Sequence, residues 1–88
     1  MYEVPMTWSE EIAEGELSLR RSYVFRSQKR LLDFVRSLLE MSNEFLVNPV
    51  MEIRFPKISV TLSAPERERD RLSIFAMAIE ELSERLNS

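Results

Sequence analysis

Hydrophobic residues recur along the chain at two different spacings. Where every second residue is apolar, the pattern predicts β-strands, here over residues 17–25, 50–55 and 58–62, and residues 8–13 are predicted to form a short first strand. Spacings of three and four residues predict two amphipathic helices, one beginning after Ser27 and ending around Asn43, the other beginning near Ser63. The order β-β-α-β-β-α predicts an α+β fold, in which a four-stranded antiparallel sheet carries two helices on one face. Residues 1–88 are predicted to form a single domain of this kind.

Turn and cap residues stand between the predicted elements. Glu14-Gly15 is predicted to be the turn of the first hairpin. Ser27 is predicted to cap the first helix. Ser63 and Glu66 have the spacing of a capping box, and Pro65 suits the first turn of a helix, so the second helix is predicted to begin here.

The second strand contains a polar interruption of its apolar face. Arg21 stands where the alternation requires a buried residue, which predicts that it lies near a sheet edge or close to solvent. A chain of this length buries only about 60–65% of the surface that its unfolded form exposes, so its core is thin. Exposed strand edges are liabilities that pairing covers, so we expect self-association, with the segment 17–25 as a candidate edge.

The residue composition is that of a globular protein and narrows the chemistry. Hydrophobic residues make up 44% of the chain and charged residues 31%, and no apolar run approaches the ~20 residues needed to cross a bilayer. The acidic N-terminus lacks the features of a signal peptide, so we predict a cytoplasmic protein without membrane association. The chain contains no cysteine and no histidine, which excludes thiol chemistry and removes the commonest metal ligand and neutral-pH acid–base group. We therefore predict no metal site and no cofactor, and the composition disfavours a hydrolytic or dehydrating enzyme.

Charge is unevenly distributed along the chain, whose net charge is −3. The first sixteen residues are acidic, whereas the stretch from Arg20 to Arg36 is basic and is opposed only by Asp33. This stretch could bind nucleic acid or phosphate. We favour a solvated surface instead, because the cations fall on different predicted elements and no series of exposed aromatic residues accompanies them.

Several landmark residues stand in a distinctive order and spacing between Trp8 and about Leu82. They are Trp8, Phe25, Phe34, the element Val47-Asn48-Pro49, Phe55 and the strand 58–62. Their order resembles that of the pterin-4a-carbinolamine dehydratases, also called dimerization-cofactor-like proteins. The resemblance implies the α+β fold predicted above and a homodimer or homotetramer that forms through sheet edges and helices.

The resemblance also implies where a dehydratase site would lie. The family removes a 4a-hydroxyl from a tetrahydropterin by means of histidines and a nearby acidic residue, since groups with a pKa near the working pH transfer protons best. The family's site positions correspond here to Asn43, Val47, Asn48 and Pro65. Asn48 matches a variant that the family accepts, but valine and proline cannot transfer a proton. The candidates for ligand contact are Asn48, Pro49 and Phe55.

Each retained landmark also has a structural interpretation. Asn48-Pro49 suits a chain reversal, Phe55 is interpreted as a core residue, and Trp8 as a packing anchor. Glu44 and Glu52 are the carboxylates nearest to the site positions and are interpreted as solvated charges.

Three hypotheses follow from these observations. The leading one is a dehydratase-like protein without dehydratase activity, which acts by oligomerisation or by binding a pterin or a protein partner. The second is an active dehydratase that uses other groups, such as Glu44 and Glu52. The third is a nucleic-acid or regulatory binding module that uses the basic stretch.

Overall fold

The computed structural model describes residues 7–87 and contains the predicted elements in the predicted order. The strands are β1 (Ser9–Ala13), β2 (Glu16–Val24), β3 (Val50–Arg54) and β4 (Lys57–Pro65), and the helices are α1 (Gln28–Phe45) and α2 (Arg69–Asn87), with one 3-10 turn at Glu66–Glu68 before α2. The strands form one antiparallel sheet in the order β1-β2-β4-β3. The predicted fold class is confirmed. The signal-peptide prediction rests partly on residues 1–6, which lie outside the described residues.

The centre of the sheet is the pair β2–β4, which runs from Glu16 opposite Pro65 to Val24 opposite Lys57. Because β2 is paired on both sides, the prediction that the segment 17–25 offers a free edge is wrong. The edge strands are β1 and β3. On the side away from β1, the backbone of β2 pairs with β4 and does not face solvent. The sequence of β2 alone does not reveal this pairing.

The inner face of the sheet and both helices enclose one core. Its buried hydrophobic members are Trp8, Leu17, Leu19, Tyr23, Phe25, Leu31, Phe34, Leu38, Val47, Ile58, Val60, Leu62, Ala64, Leu72, Phe75, Ala76, Ile79 and Leu82. Phe34 of α1 packs on Tyr23 of β2 and on Phe25, which follows that strand. The ring centres are 5.3 Å apart for Tyr23 and 4.9 Å apart for Phe25. Trp8 packs edge-on to Tyr23 at 6.4 Å, which confirms its interpretation as a packing anchor.

Helix α1 begins as predicted and ends later than predicted. The Ser27 side chain accepts a hydrogen bond from the backbone N–H of Arg30 at 3.2 Å, which confirms the N-cap. The helix continues past Asn43 because Phe45 stacks on Phe75 of α2, with ring centres 4.7 Å apart. It ends where Leu46 adopts a left-handed conformation, with φ of 57°.

The capping box predicted for the second helix is wrong. Ser63 lies within β4, and its hydroxyl hydrogen-bonds that of Ser18 at 3.0 Å instead of capping a helix. Pro65 is the last residue of β4 and makes no side-chain cap. The strand extends this far because β2 pairs with it along its whole length. Helix α2 therefore begins only at Arg69, after the 3-10 turn.

Candidate functional site

The positions that the resemblance predicts for a dehydratase site lie at one end of the sheet. Strand β3 begins at Val50, opposite Thr61 of β4. The segment 47–49, which precedes β3, and the segment 62–65, which completes β4, therefore lie at the same end. The last turn of α1, which contains Asn43, leads into this region.

Within this region the side chains do not converge on one constellation. Val47 is 4% exposed and belongs to the core, whereas Asn48 and Asn43 are exposed. Along β4 the side chains alternate, and Pro65 falls on the outer face, away from the helices. Val47 and Pro65 thus lie on opposite sides of the sheet. Neither offers a proton donor or acceptor.

The ligand-contact candidates are also divided between two ends of β3. Asn48 and Pro49 precede the strand, and Phe55 follows it. Six or seven extended residues span about 20 Å, so Phe55 lies far from the other two. Phe55 is 45% exposed, so its interpretation as a core residue is wrong. Phe55 follows the edge strand β3, so its ring lies outside the part of the sheet that the helices cover.

The alternative carboxylates are exposed, as their interpretation as solvated charges requires. Glu44 lies on the outside of α1. Glu52 lies on the outer face of β3, where its carboxylate is 3.5 Å from the guanidinium of Arg54. Within residues 7–87 no group of three or more carboxylate, histidine or cysteine side chains is placed to hold a metal ion.

A polar cluster that the sequence analysis missed lies on the inner face, between β2 and α2. The Tyr23 hydroxyl donates a hydrogen bond of 2.7 Å to Glu80, and Arg21 Nε is 2.7 Å from the same carboxylate oxygen. The Arg21 guanidinium carbon lies 4.7 Å from the centre of the Tyr23 ring. Burial raises the pKa of Tyr23 well above its ordinary value, and the hydrogen bond to Glu80 is the second largest cause of this increase.

This cluster explains the interruption of the apolar face at Arg21. A cation faces the core because a carboxylate of α2 and an aromatic ring of β2 meet it there. The break in alternation at Arg21 was the available signal in the sequence. The partner of Arg21, Glu80, stands 59 residues further along the chain. The contacts of Tyr23 and Arg21 with Glu80 hold α2 against the sheet.

The basic stretch from Arg20 to Arg36 does not form one surface. Arg20 lies on the outer face of the sheet, Arg21 on the inner face, and Arg36 on the exposed side of α1. A continuous track of cations for a nucleic-acid backbone is thus not formed by these residues. Among the described residues, no helix is long and apolar enough to cross a membrane.

The order of elements, the antiparallel sheet and the helices on one side define the fold of the pterin dehydratase-like proteins, as the resemblance predicted. One solved structure with this fold is a pterin dehydratase-like protein identified as a RuBisCO assembly factor in the alpha-carboxysome; its TM-score is 0.74 and its identity 19%, over 94% of this chain and 96% of that one. Another is a transcriptional coactivator/pterin dehydratase from Brucella melitensis, with a TM-score of 0.70 and 16% identity over 89% of this chain and 83% of that one. No protein-family model and no curated protein sequence matches the chain. At these identities the likeness concerns the fold.

Proposed function

We propose that this chain is a divergent pterin dehydratase-like protein without dehydratase activity, which acts by associating with copies of itself or with a protein partner. The observation that carries the proposal is the chemistry of the site positions. Val47 is a core residue and Pro65 closes a strand, and neither side chain can donate or accept a proton. The structural neighbour identified as a RuBisCO assembly factor supports a non-enzymatic role for this fold.

A dehydration assay tests the loss of activity. With freshly generated 4a-hydroxytetrahydropterin, we expect the rate of dehydration to equal that of buffer alone, while a histidine-containing dehydratase run beside it accelerates the reaction. A rate above buffer that disappears in Glu44→Gln or Glu52→Gln would instead support the active enzyme that uses carboxylates.

Strand β3 offers the surface for association. Among residues 7–87 it pairs with β4 alone, so one side of its backbone is open to another strand within the described part of the chain. We call four exposed apolar side chains the β3 edge surface: Val50 and Ile53 within the strand, Phe55 directly after it and Leu46 at the end of α1, which are 68%, 47%, 45% and 77% exposed. Exposed apolar side chains beside an unpaired strand edge are typical of an interface.

A second copy of the chain fits this edge. If two β3 strands pair antiparallel about Ile53, each Ile53 faces its equivalent. On the outer face, Glu52 of one copy then stands opposite Arg54 of the other, and the reverse pair forms by symmetry. Opposite charges and matching apolar residues thus coincide in a single register.

Placing a charge at the centre of this edge tests the proposal. We expect the wild-type chain to be a dimer or larger at micromolar concentration and Ile53→Lys to be monomeric, because lysine on an edge strand opposes strand pairing. Light scattering coupled to size-exclusion chromatography measures both masses. Leu32→Lys is the matched control, since Leu32 is 60% exposed but lies on α1. A monomeric wild-type chain would rule out self-association.

A further inference from the structure

The outer face of the sheet, which neither helix covers, carries positive charges between its centre and the β3–β4 turn. Arg54 and Lys57 lie opposite each other across β3 and β4, and Arg20 stands on the neighbouring strand β2. Their long side chains surround the short side chain of Ser59, which leaves a cavity of about 130 Å³ with Glu52 as its fifth lining residue. We call this the outer cavity.

The electrostatics of the outer cavity are those of an anion site. Its lining contains three cations and one carboxylate, although the whole chain carries a net charge of −3. Glu52 is held 3.5 Å from Arg54. Arg20 and Lys57 have no ion-pair partner among residues 7–87. An excess of two positive charges is therefore available to a ligand.

Polar donors of the required kind line the same cavity. Arginine guanidinium groups match the oxygens of a phosphate in pairs, and lysine adds a compact charge. The hydroxyl of Ser59 is held in place by a hydrogen bond of 2.9 Å with that of Ser22 and keeps further hydrogen-bonding capacity. These groups can meet several oxygens of one anion together.

We propose that the outer cavity binds a dianionic phosphate group, as carried by a small phosphate monoester or by inorganic phosphate. Two negative charges match the excess charge of the lining. An extended polyanion such as a nucleic acid is disfavoured, because the opposite end of the same face is acidic. There Glu11, Glu14 and Glu16 line a second concavity.

The proposed phosphate site is distinct from the positions of the pterin site. Asn48 and Pro65 lie at the end of the sheet where β3 begins and β4 ends, whereas Arg54 and Lys57 lie at the β3–β4 turn. The two sites can therefore be tested separately.

Titration followed by proton–nitrogen NMR tests the proposal with small probes. We use methyl phosphate, inorganic phosphate and dimethyl phosphate at constant ionic strength and about pH 8, where monoesters are dianionic because their second pKa is near ~6. We expect methyl phosphate to shift the backbone amides of Arg20, Arg54, Lys57 and Ser59. The monoanionic dimethyl phosphate should bind about tenfold more weakly. Equal binding of inorganic phosphate identifies the free ion as sufficient, while tighter binding of methyl phosphate indicates a monoester ligand.

Substitutions of opposite sign sharpen the test. Arg20→Gln is expected to weaken methyl phosphate binding about fivefold, and Glu52→Gln to strengthen it about fivefold, as for exposed charge pairs. Arg36→Gln on α1 removes the same charge outside the cavity and should leave binding unchanged. The Glu52→Gln result stands even if Arg20→Gln does not fold.

Three outcomes would overturn the phosphate site. They are shifts spread over all surface cations, equal binding of dimethyl phosphate, and unchanged affinity in Glu52→Gln. Repeating the titration on Ile53→Lys, which keeps all five lining residues, separates failure of the phosphate site from failure of self-association.

Discussion

Replacing Phe34 with alanine is expected to lower the free energy of unfolding by about 3–5 kcal/mol, the range for deletion of a buried aromatic ring. Phe34 is fully buried and is the α1 ring that contacts both Tyr23 of β2 and Phe25, which follows that strand. Its loss leaves a cavity at the junction of helix and sheet. Since a domain of this size is stabilised by only about 5–15 kcal/mol, the change removes much of its stability.

Urea denaturation monitored by circular dichroism measures this loss. Leu32→Ala, on the exposed side of the same helix, is the control and should change the free energy of unfolding by no more than about 0.5 kcal/mol. Similar losses in the two variants would mean that α1 packs through a different face from the one described.

Replacing Val47 with histidine, the residue that the dehydratase family is expected to carry there, is the change with the second largest expected effect on the free energy of unfolding. Val47→His should lower the free energy of unfolding by about 1–3 kcal/mol, because a larger polar ring enters a site that is only 4% exposed. The loss should grow as the pH falls below about 6.5, since protonation of a buried imidazole favours the unfolded chain.

The neighbouring residue provides a matched control for this prediction. Asn48→His lies on the exposed side of the same segment and should change stability by less than about 0.5 kcal/mol at any pH between 5 and 8. Denaturation of both variants at several pH values makes the comparison. If Val47→His were as stable as Asn48→His, position 47 would be open to solvent and the claim that it has joined the core would fail.

The same substitution tests the proposal that the chain lacks dehydratase activity. The double variant Val47→His/Pro65→His places imidazoles at both family positions, but one lies within the core and the other on the outer face. We expect dehydration by this variant to remain at the buffer rate. Turnover with the fold intact would show that the scaffold still admits a pterin.

The fold could be predicted because its signals are local. Alternation in β2 and β4, and three-and-four spacing in α1 and α2, each fit within a single element. The errors arose where a distant partner decided the outcome. Ser63 and Pro65 read as a helix start, but pairing with β2 extended β4 through both. Arg21 was predicted to lie near an edge or close to solvent; its side chain is 28% exposed, and the sequence did not show that Glu80 of α2 is its partner.

The candidate site could be predicted only in part. The sequence shows that the chain contains no histidine, because residue identity suffices for that. It did not show that Val47 is buried or that Phe55 is exposed, since both depend on how far the helices extend over the sheet. The outer cavity joins residues from three strands, and pairing across the sheet, not spacing along the chain, brings them together.

The pairing of β2 with β4 also constrains how the protein can be made. Its two strands are separated along the chain by α1 and β3, and such non-local pairing is slow to form. A nascent chain that has left the ribosome only as far as α1 has β1 as the sole partner for β2. The backbone edge of β2 that pairs with β4 then remains open until β4 is translated, so the sheet is completed only after β4 has left the ribosome.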